Sequence, residues 1–244
     1  MQITKDRVAL VTGANKGIGF EIARQLGKAG HRILLGARDV RLGEAAAEAL
    51  KGEGIDVRFI HADLGKPASI KAAAKIIESD YGRLDVPVNN AGIVDRADGP
   101  PGKTSIVAVR HIFDTNFFGT LAITQAMLPL LRKSDSARIV NVSSGLGSLA
   151  HNNDPTWEFA QVKFLGYNAS KAALNMLTVQ LAAELADTTI KVNSADPGFT
   201  ATDLNNHRGH QTIPQGAAAA VRLALLPDDG PTGGFFSASQ REPW

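Results

Sequence analysis

Tyr167 and Lys171 stand four residues apart in the run Gly166-Tyr167-Asn168-Ala169-Ser170-Lys171, so on a helix a phenol and an ammonium share one face. A free tyrosine is a poor acid–base catalyst near neutrality. A fixed cation beside it stabilises the phenolate and lowers its pKa toward the working range, which makes Tyr-x-x-x-Lys a device for moving a proton. A second group of residues points to phosphate chemistry: Thr12-Gly13-Ala14-Asn15-Lys16-Gly17-Ile18-Gly19 lies between the apolar run 8–11 and the amphipathic stretch 20–29. In a strand, glycine-rich turn and helix in that order, the glycines let the backbone approach a pyrophosphate, and free N–H groups at the helix start face the anion.

Thr12-Gly-x-x-x-Gly17-x-Gly19, Asn89-Asn90-Ala91-Gly92, Asn116, Val142-Ser143-Ser144, Tyr167-x-x-x-Lys171 and Pro197-Gly198 together resemble the short-chain dehydrogenase/reductase family, in the family's order from residue 8 to about residue 202. Asn15-Lys16-Gly17, Gly36-Ala37-Arg38-Asp39 and the long stretch between Ser144 and Tyr167 are most similar to the NADPH-dependent carbonyl reductases. The resemblance implies carbonyl reduction, with Tyr167 giving a proton to the carbonyl oxygen as hydride leaves the reduced nicotinamide. Lys171 would hold the nicotinamide ribose and, with the positively charged oxidised ring, depress the Tyr167 pKa. Ser144, with Ser143 as its rival, would polarise the carbonyl. Asn116 would hold a water for a lysine-linked proton relay, a reason for asparagine at a mid-helix position that disfavours it.

For the cofactor, the resemblance places Gly13, Asn15, Lys16, Gly17, Ile18 and Gly19 at the phosphates and Asp63 and Leu64 at the adenine. Asn90, Ala91 and Gly92 would line the ribose side, and Pro197, Gly198, Thr200 and Thr202 would hold the nicotinamide carboxamide. Asp196, just before that proline, has no role in the scheme. Enzymes that use NAD usually end the second strand with a carboxylate for the adenosine ribose, and here that residue is Ala37, followed by Arg38. Lys16 and Arg38 offer two cations for a 2′-phosphate, so NADP(H) is the expected cofactor. Asp39 is the competing group, since a small rotation would bring its carboxylate to the ribose.

Apolar, β-branched runs at 8–11, 32–35, 57–60, 84–88, 138–142 and 190–194, with a last short one at 233–236, alternate with helical patterns at 20–29, 41–51, 69–79, 105–133, 167–186 and 215–225. The alternation predicts a single α/β Rossmann domain over residues 1–244, a doubly wound parallel sheet of about seven strands covered by helices on both faces. Ligands of such sheets bind beyond the carboxyl ends of the strands. The glycine-rich turn, Asp63, Asn89 to Gly92, Ser144 and Pro197-Gly198 each follow a predicted strand, so all fall at that edge.

The bulk properties narrow the function further. A 44% hydrophobic content supports one continuous core, and a formal charge of +2 with interspersed signs gives no nucleic-acid surface. No cysteine is present for a disulfide, thiolate ligand or nucleophile, and His207 and His210 lie in a polar loop without a third metal ligand, so no metal is expected. No apolar run is long enough to span a bilayer, and residues 1–7 carry no signal-peptide core, so the expectation is a cytoplasmic protein acting on a small carbonyl or alcohol without membrane contact. A homo-oligomer is possible. No Gly-x-Ser-x-Gly elbow surrounds Ser144, which excludes that hydrolase class. The alternatives are an NAD-dependent alcohol dehydrogenase of the same family, separable by comparing NADH with NADPH, and a non-catalytic NADP(H) sensor, separable by hydride transfer to any carbonyl.

Residues 145–166 separate Ser144 from Tyr167 by more than is usual in the family. Their polar first half is followed by Trp157, Phe159, Phe164 and Leu165. The expected structure is an extended loop whose apolar part, with Leu146, Phe199 and the 202–211 loop, walls the pocket and selects hydrophobic or aromatic ketones and aldehydes. The competing reading places these aromatics in the core.

Overall fold

The computed structural model describes residues 7–244; residues 1–6, part of the run read above for a signal peptide, lie outside the described residues. Seven strands form one sheet: β1 (Val8–Thr12), β2 (Arg32–Ala37), β3 (Val57–His61), β4 (Val86–Asn89), β5 (Arg138–Val142), β6 (Lys191–Ala195) and β7 (Gly234–Phe236). Their order is β3-β2-β1-β4-β5-β6-β7 and every pairing is parallel. The chain runs outward from β1 to β3 and restarts on the other side of β1 at β4. The β1/β4 seam is therefore the switch point at which sheets of this kind open a crevice.

The helices are α1 (Gly17–Lys28), α2 (Val40–Gly52), α3 (Pro67–Tyr81), α4 (Ile106–Phe113), α5 (Thr120–Leu131), α6 (Leu149–Asn153), α7 (Leu165–Glu184) and α8 (Ile213–Ala224). The period-two alternation of a strand divides β1 between two cores. Ala9 and Val11 pack with Ile22, Leu26, Leu50 and Ala220 of α1, α2 and α8, whereas Val8 and Leu10 pack with Ile70, Ile77, Ile123 and Leu181 of α3, α5 and α7. Both faces of the sheet are covered, which is why its strands read as unbroken apolar runs.

Two boundaries differ from the sequence reading. The strand expected at 84–88 forms ladder pairs only over Val86–Asn89, and its ladder with β5 is registered at Val88 and Asn89, beyond Pro87, which has no N–H to donate. The single helix expected at 105–133 is broken by a π-helical segment, Asp114–Gly119. Asn116 turns its amide away to another loop, and Gly119 packs so closely that a Cβ there would lie 2.7 Å from Leu64 Cβ. Among the described residues no helix is long and apolar enough to cross a membrane, and no group of acidic or histidine side chains could hold a metal ion. His207 pairs with Asp203 at 2.8 Å, and His210 meets Phe199 edge-on.

Candidate active site

The turn after β1 is shaped by its neighbours. Gly13 has φ +63°, and a Cβ there would lie 2.9 Å from Ala91 Cα, so only glycine lets the β1 and β4 turns come this close. Thr12 Oγ1 accepts from the N–H groups of Asn90 (3.0 Å) and Ala91 (3.1 Å), while Asn90 Nδ2 donates to Thr12 O at 2.9 Å. The Asn90 amide thus braces the turn and is committed to the β1 backbone. Gly17, φ +58°, faces open space whose nearest neighbour is Thr202 Cγ2, 3.9 Å from a Cβ position. Lys16 occupies the cap position of α1 without a side-chain hydrogen bond to it, so the first N–H groups, near Gly17, Ile18 and Gly19, have no capping side chain. A glycine cradle over an uncapped helix start fits a pyrophosphate. Asn15 stands half-buried in the same turn.

The end of β2 separates the candidate charges. Asp39 caps α2, its Oδ1 accepting from Leu42 N at 2.9 Å, so the carboxylate that competed for the ribose has another structural role. Arg38 is exposed and makes no hydrogen bond or ion pair among the described residues. Lys16 is paired: its Nζ reaches Asp203 Oδ2 at 2.6 Å, an exposed pair that stabilises little. Asp63, at the end of β3, accepts from Gly65 N at 3.1 Å and pairs with Lys66, and Leu64 is buried beneath Gly119.

Around the proton device the side chains converge. Lys171 is 4% exposed; its Nζ donates to Val142 O at 2.8 Å, lies 5.7 Å from the Tyr167 ring centre and is 3.5 Å from the Cβ position of Gly92. Burial lowers its pKa to about 8. The Ser144 hydroxyl lies within hydrogen-bonding reach of the Tyr167 phenol and also accepts from Leu146 N at 3.2 Å. Ser143, its rival, is buried and turned to Lys171 O. In the protein alone, burial pushes the Tyr167 pKa up to about 12, with the Ser144 hydrogen bond opposing and the Asp196 charge adding; the depression expected from Lys171 together with the oxidised nicotinamide belongs to the cofactor-bound site. Sequence shows the cation four residues away but not how deeply the phenol is set.

Asn116, 1% exposed, clamps two elements. Its Oδ1 accepts from Ile93 N at 2.8 Å, and its Nδ2 donates to Ile93 O and to Ser170 Oγ, each at 3.0 Å. Asn89 is turned inward to Thr124 and Asn141. Past β6, Pro197 and Gly198 border the cleft, whereas Thr200 is buried, donating to Pro197 O at 2.9 Å and packing on Gly216. Thr202 heads the short turn Asp203–Asn205, opposite Gly17.

Sequence reasoning missed Asp98. Its Oδ1 accepts from Gly166 N and its Oδ2 from Tyr167 N, both at 2.9 Å, so it caps α7 at the turn that carries the phenol. Phe164, at the cap position in sequence, supplies no side-chain bond. The available signal is an aspartate directly before the turn-forming run Gly99-Pro100-Pro101-Gly102.

The 145–166 stretch is more ordered than the expected loop: a 3₁₀ turn (Gly145–Gly147) and α6 precede a series of turns. His151 stacks on Trp157 at 4.9 Å, Trp157 meets Phe159 at 5.4 Å, and Phe159 meets Phe199 at 5.5 Å. This half-buried ladder passes Gly145, the residue after Ser144, with Trp157 Cζ2 3.2 Å from the Cβ position of Gly145. Phe164 and Leu165 stay outside it and are exposed.

Residues 7–212 match the profile of the short chain dehydrogenase family. The chain belongs to the short-chain dehydrogenase/reductase family. Short-chain dehydrogenase/reductase 1 of Saponaria officinalis is 35% identical, with 99% of this chain and 97% of that protein covered. Carbonyl reductase (NADPH) 3 of Rattus norvegicus is 36% identical, with 91% and 92% covered. The solved NADPH-bound carbonyl reductase from chicken fatty liver matches with a TM-score of 0.84 at 27% identity, covering 98% of this chain and 100% of that one. As a short-chain dehydrogenase/reductase, the chain is an oxidoreductase for small molecules that binds a nicotinamide cofactor.

Proposed function

We propose that this protein is an NADPH-dependent carbonyl reductase acting on hydrophobic or aromatic ketones and aldehydes. The observation that carries the reading is the convergence of three groups, the Tyr167 phenol, the Ser144 hydroxyl within its reach and the buried Lys171 Nζ, 5.7 Å from the Tyr167 ring centre. A phenol that keeps its proton is a donor, as reduction requires.

The cofactor, when bound, supplies the hydride. A carbonyl oxygen placed between Ser144 Oγ and the Tyr167 hydroxyl accepts a hydrogen bond from the serine and then the tyrosine proton. Ser144 is preorganised for this by Leu146 N, so little reorganisation accompanies the growth of negative charge on oxygen. Lys171, with a pKa of about 8, is cationic at pH 7 and offsets the phenolate left after transfer. Its remaining donors, next to Gly92, suit the hydroxyls of a ribose. Asn116 holds the water of the relay that reprotonates Tyr167; its amide is committed to Ile93 and Ser170, so that role falls to its main-chain carbonyl.

Arg38, without a partner among the described residues, supports NADPH over NADH, and so does the engagement of the competing Asp39 carboxylate as a helix cap. The ladder of Trp157, Phe159 and Phe199, which passes Gly145, supports apolar substrates. A panel of aryl ketones, aliphatic aldehydes, quinones, steroids and sugars, assayed with NADPH and NADH, tests all three parts. The expected result is NADPH-dependent turnover concentrated in the apolar members. Cofactor binding without hydride transfer to any member would leave a sensor instead.

A further inference from the structure

Asp196 takes no part in the chemistry above, yet its carboxylate is tied to both turns that frame the site. Its backbone N–H donates to Phe236 O at 2.8 Å, and its Oδ1 accepts from Gly198 N at 3.0 Å. Oδ2 lies against Gly145, 3.1 Å from the Cβ position there, and the Gly145 N–H is a second, looser donor to the carboxylate. Gly145 directly follows Ser144, the residue in reach of the Tyr167 phenol. One side chain therefore joins the serine turn after β5 to the Pro197-Gly198 turn after β6. A larger residue at Gly145 would collide with both Asp196 and Trp157, so the packing fixes this arrangement.

The charged groups around the pair are few. Lys171 approaches Tyr167 from α7; His151 of α6 and Glu242 of the C-terminal segment face Asp196. His151 Nε2 lies 3.2 Å from Glu242 Oε2, and Glu242 is 8% exposed, so the imidazole is partnered by Glu242 while both face the Asp196 carboxylate. Of these groups the Lys171 ammonium favours a phenolate, and the carboxylates of Asp196 and Glu242 oppose it. Burial and Glu242 hold the Asp196 carboxyl above its ordinary range.

We propose that Asp196 is a positioning residue that fixes the serine turn against the Pro197-Gly198 turn, and that its negative charge beside Tyr167 opposes the phenolate and keeps the proton donor loaded toward alkaline pH. The use of that loaded donor rests on the carbonyl-reductase reading; the charge effect itself does not.

The chain has two tyrosines, Tyr81 and Tyr167, so a Tyr81→Phe background makes the ultraviolet tyrosinate band a direct report on Tyr167. Asp196→Asn keeps the shape and one acceptor for Gly198 N; Asp196→Ser is a second neutral variant with a shorter reach. With and without saturating NADP⁺, both should show on the order of three- to tenfold more tyrosinate than the background protein at a fixed alkaline pH. Oxidation of a product alcohol should rise at correspondingly lower pH. Asp196→Ser should also lower kcat for carbonyl reduction several-fold more than Asp196→Asn, because it no longer spans the two turns. If both variants fold, by circular dichroism, and titrate as the background protein does, the charge effect is refuted; equal kcat in the two would refute the positioning role. Failure of the reductase reading would show separately, as absence of hydride transfer by the unmutated protein, with the titration still interpretable.

Discussion

The backbone N–H of Tyr167 donates to Oδ2 of Asp98 at 2.9 Å, across 69 positions of sequence. Oδ1 of the same carboxylate takes the N–H of Gly166, so the loop after β4 fixes where the first turn of α7 begins and hence where the phenol lies. An anionic cap also suits the positive end of a helix. Asp98→Ala should cost about 0.5–2 kcal/mol of stability through the lost cap. It should also lower kcat by roughly 10- to 100-fold through misplacement of the phenol, with NADPH affinity nearly unchanged. Asp98→Asn should recover part of the kcat. A folded Asp98→Ala variant that loses stability but keeps its kcat would show that the cap does not position the chemistry.

Tyr167→Phe keeps the ring and removes the transferable proton. NADPH binding should be nearly normal and carbonyl reduction should fall on the order of 10² to 10⁴. Stopped-flow binding beside steady-state turnover separates the two, and a loss of only a few-fold in kcat would assign proton donation to another group.

What could be read from sequence were groups whose chemistry demands given residue types at fixed spacing on one element. The glycine turn, Ser144 and Tyr167-x-x-x-Lys171 are of this kind, and the strand and helix periods placed them at one sheet edge. Contacts between distant positions could not be read. Asp98 reaches Tyr167 only because the β4 loop folds over α7, and the π-helical break at Asn116 depends on Ile93 and on Leu64 pressing against Gly119. The surroundings of the Tyr167 phenol could not be read for the same reason, since the burial that pushes its pKa up to about 12 in the protein alone is a property of the assembled site.

Cofactor choice should reside mainly in Arg38. Arg38→Ala should weaken NADPH binding by about 1.5–3 kcal/mol while leaving NADH binding nearly intact, because only NADPH carries the extra phosphate. Lys16→Ala should do less, since Lys16 is already paired with Asp203 and must leave it. Calorimetric titration with both cofactors checks this; equal losses for NADPH and NADH would remove Arg38 from the phosphate site.

The aromatic ladder predicts where selectivity resides. Trp157→Ala removes the ring between His151 and Phe159, and Phe159→Ala removes the one that meets Phe199. Each should reduce kcat/KM for aryl ketones by roughly 5- to 100-fold relative to small aliphatic aldehydes, the range expected when an apolar pocket contact is lost. An unchanged selectivity profile in both variants would assign these rings to the core instead.

Lys171 should be costly to the fold that it serves. Its ammonium is buried, with one hydrogen bond, to Val142 O, and burial holds its pKa near 8 against an ordinary 10.5. The unfolded chain therefore binds more protons than the folded one between these values, so folding is penalised fully below pH 8 and the penalty fades as pH rises toward 10.5. Lys171→Met keeps the length and removes the charge; the lost bond to Val142 O offsets part of the gain. At pH 7 the cofactor-free variant should be more stable by about 1 kcal/mol, a rise in Tm of roughly 2–4 °C, while carbonyl reduction is lost. The advantage should shrink from pH 8 to 10.5 as the native lysine deprotonates. Thermal melts of both proteins across that range check the sign. A variant that melts below the native protein at pH 7, or a gap that widens with pH, would mean that Lys171 is better solvated or paired than its burial indicates.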